Sequence, residues 1–316
     1  MPADADGVAQ ERLPGSTVVV KGDTHIVKRR LGSGSYGVVF SILGLTSRVL
    51  KFEKSDEKGA RAQLEYEARV YDELRGLPGI PNAHGFEHEM PAGFNVLSMD
   101  RLGPTVEDVF REGGPMGFES ASQIGVALIS ALQGMHERGM IHRDLKPHNI
   151  AFHRSRKRRR SSEPEIYIFD MGLCKKFMTS SGHHINYREN KSMCGTPRYA
   201  SIASHLGCEL SRRDDLESVL YTLLYIALGK LPWQGLKSRK DATKDERNHQ
   251  IARVKIQTPI RQLMRKAPRG WQSCMRMIRK LEFEETPDYD ALISLLLRRK
   301  GGGETGRTRR PSSADE

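Results

Sequence analysis

One short segment of the sequence brings an acid, an amine and an amide together at fixed spacing. In Ile141-His-Arg-Asp-Leu-Lys-Pro-His-Asn149, these groups belong to Asp144, Lys146 and Asn149. An aspartate in this pattern accepts or orients the proton of a substrate hydroxyl, the lysine neutralises a moving γ-phosphoryl group, and the asparagine holds Mg²⁺. A polar turn after a helix is the alternative, but a chance match at all these positions is improbable. The segment therefore predicts phosphoryl transfer, with these three residues in catalytic roles.

A further carboxylate ends an apolar run shortly after this segment. Ile166-Tyr-Ile-Phe-Asp-Met-Gly172 is typical of a strand that ends at Asp170. A carboxylate in that place bridges Mg²⁺ to the phosphates, so we predict Asn149 and Asp170 as the metal ligands. Met171 replaces the usual phenylalanine. Because methionine is flexible and apolar, we expect it to pack beneath the site and activity to be retained.

Glycines near the N-terminus are spaced as a nucleotide lid requires. The segment Leu31-Gly-Ser-Gly-Ser-Tyr-Gly-Val38 contains GxGxxG between two strand-like runs. Glycines let backbone amides approach phosphate oxygens, although a plain hairpin turn would use them as well. A dinucleotide fold fits less well because a strand rather than a helix follows. The lid predicts these nucleotide-binding residues: Leu31, Gly32, Gly34, Gly37 and Val39.

Lys51 is either an ordinary surface lysine or the ligand of the α- and β-phosphates. Its proposed partner is Glu67, which falls in the helical segment 58–75 on an apolar stripe with Leu64 and Tyr71. A carboxylate on a buried face is costly unless a cation meets it. Glu65 is the rival acid but lies off the stripe. We therefore predict a Lys51–Glu67 ion pair that places Lys51 at the phosphates.

Strand-like runs in the first third of the chain give way to helical spacing. The runs are rich in β-branched and aromatic residues and bounded by glycines, as strands are. Ile124, Leu128, Leu132 and Met135 recur at helical spacing ahead of the catalytic segment. The order predicts a small β-rich lobe followed by a larger helical lobe. The predicted strands are Thr17 to Val20, His25 to Leu31, Val38 to Leu43, Arg48 to Glu53 and Phe94 to Met99.

Several further segments resemble the casein kinase 1 family of eukaryotic serine/threonine protein kinases, from about Thr17 to Arg299. They are Gly195-Thr-Pro-Arg-Tyr-Ala-Ser-Ile202, Ser211-Arg-Arg-Asp-Asp-Leu-Glu-Ser218 and Leu231-Pro-Trp-Gln-Gly-Leu236. The first carries the Ser-Ile sequence with which this family replaces the usual Ala-Pro-Glu. The resemblance implies the α+β, two-lobed protein-kinase fold, the cofactors ATP and Mg²⁺, and transfer to serine or threonine of acidic or phosphate-primed protein substrates.

The same resemblance implies roles for residues that spacing alone does not assign. Asp215 becomes the buried helix carboxylate that braces the catalytic loop. Met99 lies at the back of the adenine pocket, and Asp100, Arg101 and Leu102 form the hinge, whose main chain binds adenine. Met99, Asp100 and Leu102 are thus nucleotide-binding residues by resemblance. Arg101 stands where the family commonly has an apolar residue.

A substrate anion site is also implied by the resemblance. Arg198 and Gly235 match the family's anion-binding positions, and Arg247 takes the place of a lysine across a short insertion, Ser238 to Asp241. Arginine suits phosphate because its fork can bind two oxygens. The alternative is that Arg198 merely pairs with an acid.

Polar or like-charged stretches delimit the folded part. We predict a flexible arm at residues 1–14, a basic loop insertion at 153–164 and a flexible tail at 301–316. These stretches leave one domain, 15–300, with a small lobe at 15–100 and a large lobe at 103–300. For the insertion, a solvated loop is the plain interpretation, and a nuclear-import signal or nucleic-acid contact is the alternative.

Composition narrows the class of protein. The 316 residues carry a formal net charge of +12, which favours anionic partners such as acidic peptides, phosphopeptides or nucleic acid. No apolar stretch is long enough to span a bilayer and no secretory signal is visible, so we expect a cytoplasmic or nuclear protein, monomeric and without membrane insertion. Four cysteines without a CxxC pair suggest reduced thiols. A zinc site from Cys174, His183, His184 and Cys194 is the weaker alternative.

Two other functions fit the sequence less well. A pseudokinase would keep the fold as a scaffold, but the charged and amide residues of the predicted site are all present. A nucleic-acid-binding protein would use the basic insertion, but no recognised reading module with interleaved aromatics appears.

Overall fold

The computed structural model describes residues 13–298 except 35–36, 56–62, 91–92, 155–164, 237–238 and 240. The C-terminal tail, most of the basic insertion and the first 12 residues of the predicted arm therefore lie outside the described residues. The end of that arm differs from the prediction, because Leu13 is buried and packs in the core of the small lobe beside Val18 and Val27. Leu13 therefore belongs to the folded part.

The first part of the chain forms one antiparallel sheet of six strands. They are β1 (Thr17–Val20), β2 (Asp23–Gly34), β3 (Gly37–Ile42), β4 (Arg48–Lys54), β5 (Ala83–Met90) and β6 (Phe94–Asp100). Their order is β1-β2-β3-β4-β6-β5. Aromatic residues fill one face, where Phe40 and Phe94 both meet Phe52 edge to face, an arrangement that aromatic rings favour. Five of these strands are predicted from sequence, whereas β5 is not.

Helix α1 (Gln63–Glu73) connects β4 to β5 and packs on the other face of the sheet. Its buried residues include Leu64, Glu67 and Tyr71, which is the stripe that sequence predicts. The predicted segment starts at residue 58, and its first residues lie outside the described part of the chain. The helix thereby carries one carboxylate inward, toward β4.

The second part of the chain is helical. Its helices are α2 (Val106–Gly113), α3 (Gly117–Glu137), α4 (Ile202–His205), α5 (Arg212–Leu228), α6 (Lys244–Gln257), α7 (Ile260–Leu263), α8 (Arg269–Ile278) and α9 (Tyr289–Leu297). Helix α5 is buried on nearly every side and packs against α3. It begins where the Asp214 carboxylate accepts from the Ser211 N–H (2.8 Å) and ends at Gly229 with φ 87°. This central helix gives the large lobe its fixed frame.

Short strands position the segments that carry the predicted chemistry. β7 (Met140–Ile141) pairs with β10 (Lys175–Lys176), and β8 (Ile150–Phe152) pairs with β9 (Ile166–Ile168). Because β8 and β9 are antiparallel, the residue before β8 and the residues after β9 lie at the same end of the pair. Asn149 and Asp170 occupy those places, and the Phe169 N–H donates to the Asn149 carbonyl (3.0 Å).

Among the described residues, no helix combines the length and apolar character that crossing a membrane would require.

Candidate active site

Asp144 is held by donors from three directions. Its Oδ1 accepts from the Thr196 N–H (2.7 Å), and its Oδ2 accepts from Lys146 Nζ (2.6 Å) and Asn149 Nδ2 (3.3 Å). Lys146 Nζ also donates to Thr196 Oγ1 (3.1 Å). The three residues predicted from the catalytic segment therefore meet at one carboxylate. An oriented, charge-paired aspartate of this kind can accept a proton from a hydroxyl placed beside it.

Asp215 in α5 holds the main chain of the loop that carries Asp144 through hydrogen bonds. The carboxylate is fully buried and accepts from the N–H groups of His142 (2.7 Å) and Arg143 (2.8 Å), and from His136 Nε2 (3.1 Å). Burial works against its charge, but hydrogen bonds from His136 and His142 outweigh burial and hold the pKa of Asp215 below its usual value. Arg143 has φ 69°, a left-handed conformation that these bonds help to maintain.

Lys51 in β4 links the two lobes. Its Nζ lies 2.6 Å from Glu67 Oε2 and 3.4 Å from Asp170 Oδ1, and the lysine is 8% exposed. Burial disfavours the ammonium, but the two carboxylates outweigh burial and raise the pKa of Lys51. The rival acid, Glu65, instead pairs with Arg69 on the outer face of α1. The structure thus forms the ion pair that sequence predicts.

Asp170 adopts a left-handed backbone conformation, with φ 66°. Its N–H donates to the Tyr71 hydroxyl (3.1 Å), and Tyr71 is buried in α1 one turn after Glu67. A non-glycine residue in this conformation is strained by about 1–3 kcal/mol, so an anchor on its backbone matters. Tyr71 therefore ties the position of Asp170 to α1.

Replacing Tyr71 with phenylalanine is expected to lower kcat about five- to tenfold and raise the Mg²⁺ concentration for half-maximal rate, while the melting temperature changes little. The change leaves the ring and removes the acceptor of the Asp170 N–H. Tyr66→Phe is the matched control, because that hydroxyl donates to the Cys174 carbonyl (2.8 Å) from the same helix. Equal Mg²⁺ dependence in both variants would contradict the anchoring role.

The residues around Lys51 and Asp170 suit Mg²⁺ and a triphosphate. The donor half of the Asn149 amide is engaged by the Asp144 carbonyl (3.0 Å), which leaves the amide oxygen for a cation. Asn149 and Asp170 thus offer two oxygen ligands, the type that Mg²⁺ prefers, next to the ammonium of Lys51. This donor set fits a metal-bound nucleotide better than it fits a soft metal.

The glycine lid lies along the β2–β3 hairpin. Gly34 pairs with Gly37, and residues 35–36 lie outside the described part. At Gly37 a Cβ would lie 2.2 Å from the Phe52 carbonyl oxygen, and φ is 144°, so no other residue fits. Val39 pairs with Lys51 across β3 and β4, which places both on one stretch of the sheet. Leu31 and Gly32 lie on β2, within the same hairpin.

The predicted hinge leaves β6 at Asp100. The Asp100 side chain accepts from the Asn82 N–H (2.9 Å) and contacts His84 Nε2 (2.7 Å). Asp100 and Arg101 donate their N–H groups to the carbonyls of Asn82 (3.0 Å) and Ser47 (2.8 Å). The connection between the lobes is therefore fixed through its main chain.

Two flanking residues of the nucleotide region differ in burial. Met99 is buried at the end of β6, as expected for the back of a pocket. Leu102 is only half-buried.

Met171 is fully buried, and its sulfur contacts Cys174 Sγ (3.3 Å). The expected packing of this residue beneath the site is therefore present. The sulfur–sulfur contact joins the first residue of the turn Met171–Leu173 to the residue after the turn, which follows Asp170 directly.

A cleft of about 600 Å³ opens beside the catalytic loop. The three predicted anion-site residues, Arg198, Gly235 and Arg247, all line it, together with Lys146. Arg247 also donates to the backbone carbonyls of Ala242 (2.8 Å) and Thr243 (3.3 Å) at the start of α6. The main chain just before α6 thus orients its guanidinium. Half of the predicted insertion, residues 238 and 240, lies outside the described residues.

Arg198 has no carboxylate within ion-pair distance in the part of the chain that the structure describes. Its Nη1 donates to the Tyr199 hydroxyl (3.4 Å), and its guanidinium lies 5.4 Å from the ring centre of Tyr225. The alternative in which Arg198 merely pairs with an acid is therefore not supported.

The weaker zinc alternative is not supported either. Cys174 contacts Met171, His183 contacts the Ser181 hydroxyl (3.1 Å), and His184 contacts the Ile185 carbonyl (2.8 Å). Within the described ranges, no group of three or more histidine, cysteine, aspartate or glutamate residues is arranged to hold a metal ion.

Comparison with known proteins agrees with this geometry. The family description "Protein kinase domain" matches residues 25–299. The chain belongs to the protein kinase family. Within it, the chain is 39% identical over 283 residues to "Casein kinase I homolog 3" of Schizosaccharomyces pombe, which confirms the resemblance to casein kinase 1. The match covers 87% of this chain and 62% of that relative, so the chain spans less than two thirds of its length.

The sequence did not predict two residues that support the site through buried hydrogen bonds, Tyr71 and His136. Tyr71 and His136 both fall on apolar helix stripes, where they are indistinguishable from core residues. A tyrosine on the same stripe as the buried Glu67 was the available signal, because a buried hydroxyl requires a partner.

Proposed function

We propose that this protein is an active serine/threonine kinase of the casein kinase 1 type that uses Mg-ATP and phosphorylates acidic or phosphate-primed protein substrates. The observation that carries the proposal is the chain of contacts Glu67–Lys51–Asp170 on one side and Lys146–Asp144–Thr196 on the other. The two sets are joined through Asn149, which bonds Asp144 and accepts from Phe169.

The residues divide the reaction between them. Asp144 orients the substrate hydroxyl and takes its proton, and Lys146 balances negative charge that develops between hydroxyl and phosphoryl group. Lys51, which two carboxylates keep charged, binds the α- and β-phosphates. Asn149 and Asp170 would hold Mg²⁺, which would supply positive charge against the triphosphate. Most of the catalysis then comes from positioning and electrostatic stabilisation.

The proposed substrate class rests on the charge of the cleft. Three cationic side chains line it, namely Lys146, Arg198 and Arg247. The acid nearby, Glu107, lies 3.0 Å from Arg111 and 3.8 Å from His148, and it forms no ion pair with Arg198 among the described residues. A phosphoserine or acidic side chain close to the target hydroxyl would meet two arginines, which bind phosphate through paired hydrogen bonds.

A peptide series with primed, acidic and basic flanks tests this proposal. We expect the highest kcat/KM for primed peptides, and Arg198→Ala to lower that value about 10- to 100-fold, as loss of a charge-assisted hydrogen bond implies. Arg265→Ala, at an exposed arginine in the large lobe, is the matched control. A wild-type preference for basic peptides would overturn the proposed substrate class and leave the kinase assignment intact.

A further inference from the structure

A lysine is completely buried beneath the segment that carries Arg198. Lys255 in α6 is 0% exposed, and its Nζ donates to the carbonyl oxygens of Pro197 (2.8 Å) and Ala200 (2.5 Å). The two carbonyls flank Arg198 and Tyr199. One side chain on a distant helix thus holds both ends of a short stretch of main chain.

Aromatic rings complete the surroundings of this ammonium. Its Nζ lies 4.8 Å from the ring centre of Tyr221 and 5.0 Å from that of Trp233. Within the described part of the chain, no carboxylate lies within ion-pair distance of Lys255. A buried lysine without a carboxylate partner is expensive, and here two carbonyls and two ring faces offset the cost.

The protonation of Lys255 does not decide whether it can hold the segment. Burial lowers the pKa of Lys255 to about 7. The ammonium has three N–H donors and the neutral amine has two, so either form can serve both carbonyls.

The carbonyl between these anchors is held as well. Trp233 Nε1 donates to the Arg198 carbonyl (2.8 Å), and His205 Nε2 contacts the Pro197 carbonyl (3.1 Å). Side chains from α6, from the loop after α5 and from α4 therefore fix the backbone of residues 197–200. Thr196, one residue earlier, is tied to Asp144.

The side chain of Arg198 is held by fewer contacts than its main chain. Its main chain is fixed at the residue itself and on both sides. Among the described residues, its guanidinium has the 3.4 Å contact to the Tyr199 hydroxyl and lies over the rings of Tyr199 (5.7 Å) and Tyr225 (5.4 Å), without an ion pair. A fixed backbone with an unpaired charged group reduces the entropy lost when an anion binds. The Lys255 side chain thus fixes the main chain from which the half-buried Arg198 guanidinium extends.

We propose that Lys255 is a positioning residue for substrate anions: it fixes residues 197–200 so that Arg198 meets the phosphate or carboxylate of a primed or acidic peptide. The inference rests on the proposed function, because it assumes that Arg198 binds that anion. Because Lys255 is 0% exposed, it would touch neither substrate nor nucleotide.

Lys255→Met tests the inference, because methionine keeps the length and apolar stem but has no N–H. We expect KM for a phosphoserine-primed peptide to rise about tenfold, kcat for that peptide to change less than about threefold, and KM for ATP to stay the same. For an unprimed peptide, kcat/KM should fall much less. Lys266→Met, at an exposed lysine, controls for the lost charge.

A double-mutant cycle separates positioning from general support of the fold. If Lys255 acts through Arg198, then Lys255→Met in the Arg198→Ala background should leave the primed-to-unprimed ratio of kcat/KM unchanged. Trp233→Phe keeps an aromatic ring at this position, removes the donor to the Arg198 carbonyl and leaves a smaller side chain, so it should shift the ratio in the same direction by about threefold. It also serves if Lys255→Met fails to fold.

The outcomes distinguish this inference from the proposed function. A wild type without preference for primed peptides overturns the proposed substrate class and the inference with it. A wild type that prefers primed peptides, loses the preference in Arg198→Ala and keeps it in both folded Lys255→Met and Trp233→Phe overturns the inference alone. An equal loss for primed and unprimed peptides, additive with Arg198→Ala, also overturns it, because that result describes a purely structural lysine.

Discussion

Asp144→Asn is expected to lower kcat about 10²- to 10⁴-fold, the range that a positioned general base contributes, while the protein stays folded. The amide can still accept from the Thr196 N–H, so the loop keeps one of its anchors. It cannot take a proton from the substrate hydroxyl, and it no longer carries the charge that pairs with Lys146. KM for ATP should change little, because Asp144 is not among the residues predicted to bind the nucleotide.

Phosphate incorporation into a peptide, followed by mass spectrometry, measures the effect. Asp290→Asn, at an exposed aspartate, is the matched control, and the melting temperature of each variant reports folding. Wild-type activity in Asp144→Asn would remove this residue from the chemistry. Absence of transfer by the wild-type protein across peptides, nucleotides and divalent metals would instead favour a pseudokinase scaffold.

The chemistry was predictable from sequence because its residues lie in short local patterns. Asp144, Lys146 and Asn149 are within one loop, so their spacing alone brings them together. The Lys51–Glu67 pair was also predictable, although the residues belong to different elements, because a carboxylate on a buried helix stripe must find a cation. The requirement that a buried carboxylate be paired with a cation was enough to predict this contact without knowing the fold.

The supports of the site were predictable only in part. Asp215 was assigned by resemblance, but its third donor, His136, comes from a different helix and has no local signal. Lys255 is similar, because a lysine in a charged stretch of α6 predicts a solvated side chain. Its burial follows from how α6 meets residues 197–200, which is a long-range contact. Strand β5 was missed because His84, Gly85, Glu87 and His88 interrupt its apolar pattern.

Asp215→Asn is expected to destabilise the protein by about 2–4 kcal/mol at neutral pH and to lower kcat about 100-fold. One amide oxygen cannot satisfy the N–H groups of His142, Arg143 and the His136 ring, and each buried donor left unpaired costs about 1–3 kcal/mol. The catalytic loop above them then shifts, and small displacements of a catalytic group cost rates of this order. Urea unfolding and steady-state kinetics measure the two effects.

The pH dependence of this destabilisation identifies its cause, and the neighbouring Asp214 supplies the control. Because the pKa of Asp215 is below its usual value in the folded state, its carboxylate stabilises the fold above the ordinary aspartate pKa, and that stabilisation is lost as pH falls through the folded-state pKa. The penalty of Asp215→Asn should therefore shrink in acid.

Burial raises the pKa of Asp214 to about 7, so the contribution of Asp214 to stability falls as pH rises from about 4 to 7. The penalty of Asp214→Asn should therefore shrink as pH rises, opposite to that of Asp215→Asn. Two adjacent buried aspartates with opposite slopes would show that hydrogen-bond donors, and not burial as such, keep Asp215 charged beneath the catalytic loop. Parallel slopes would contradict that account.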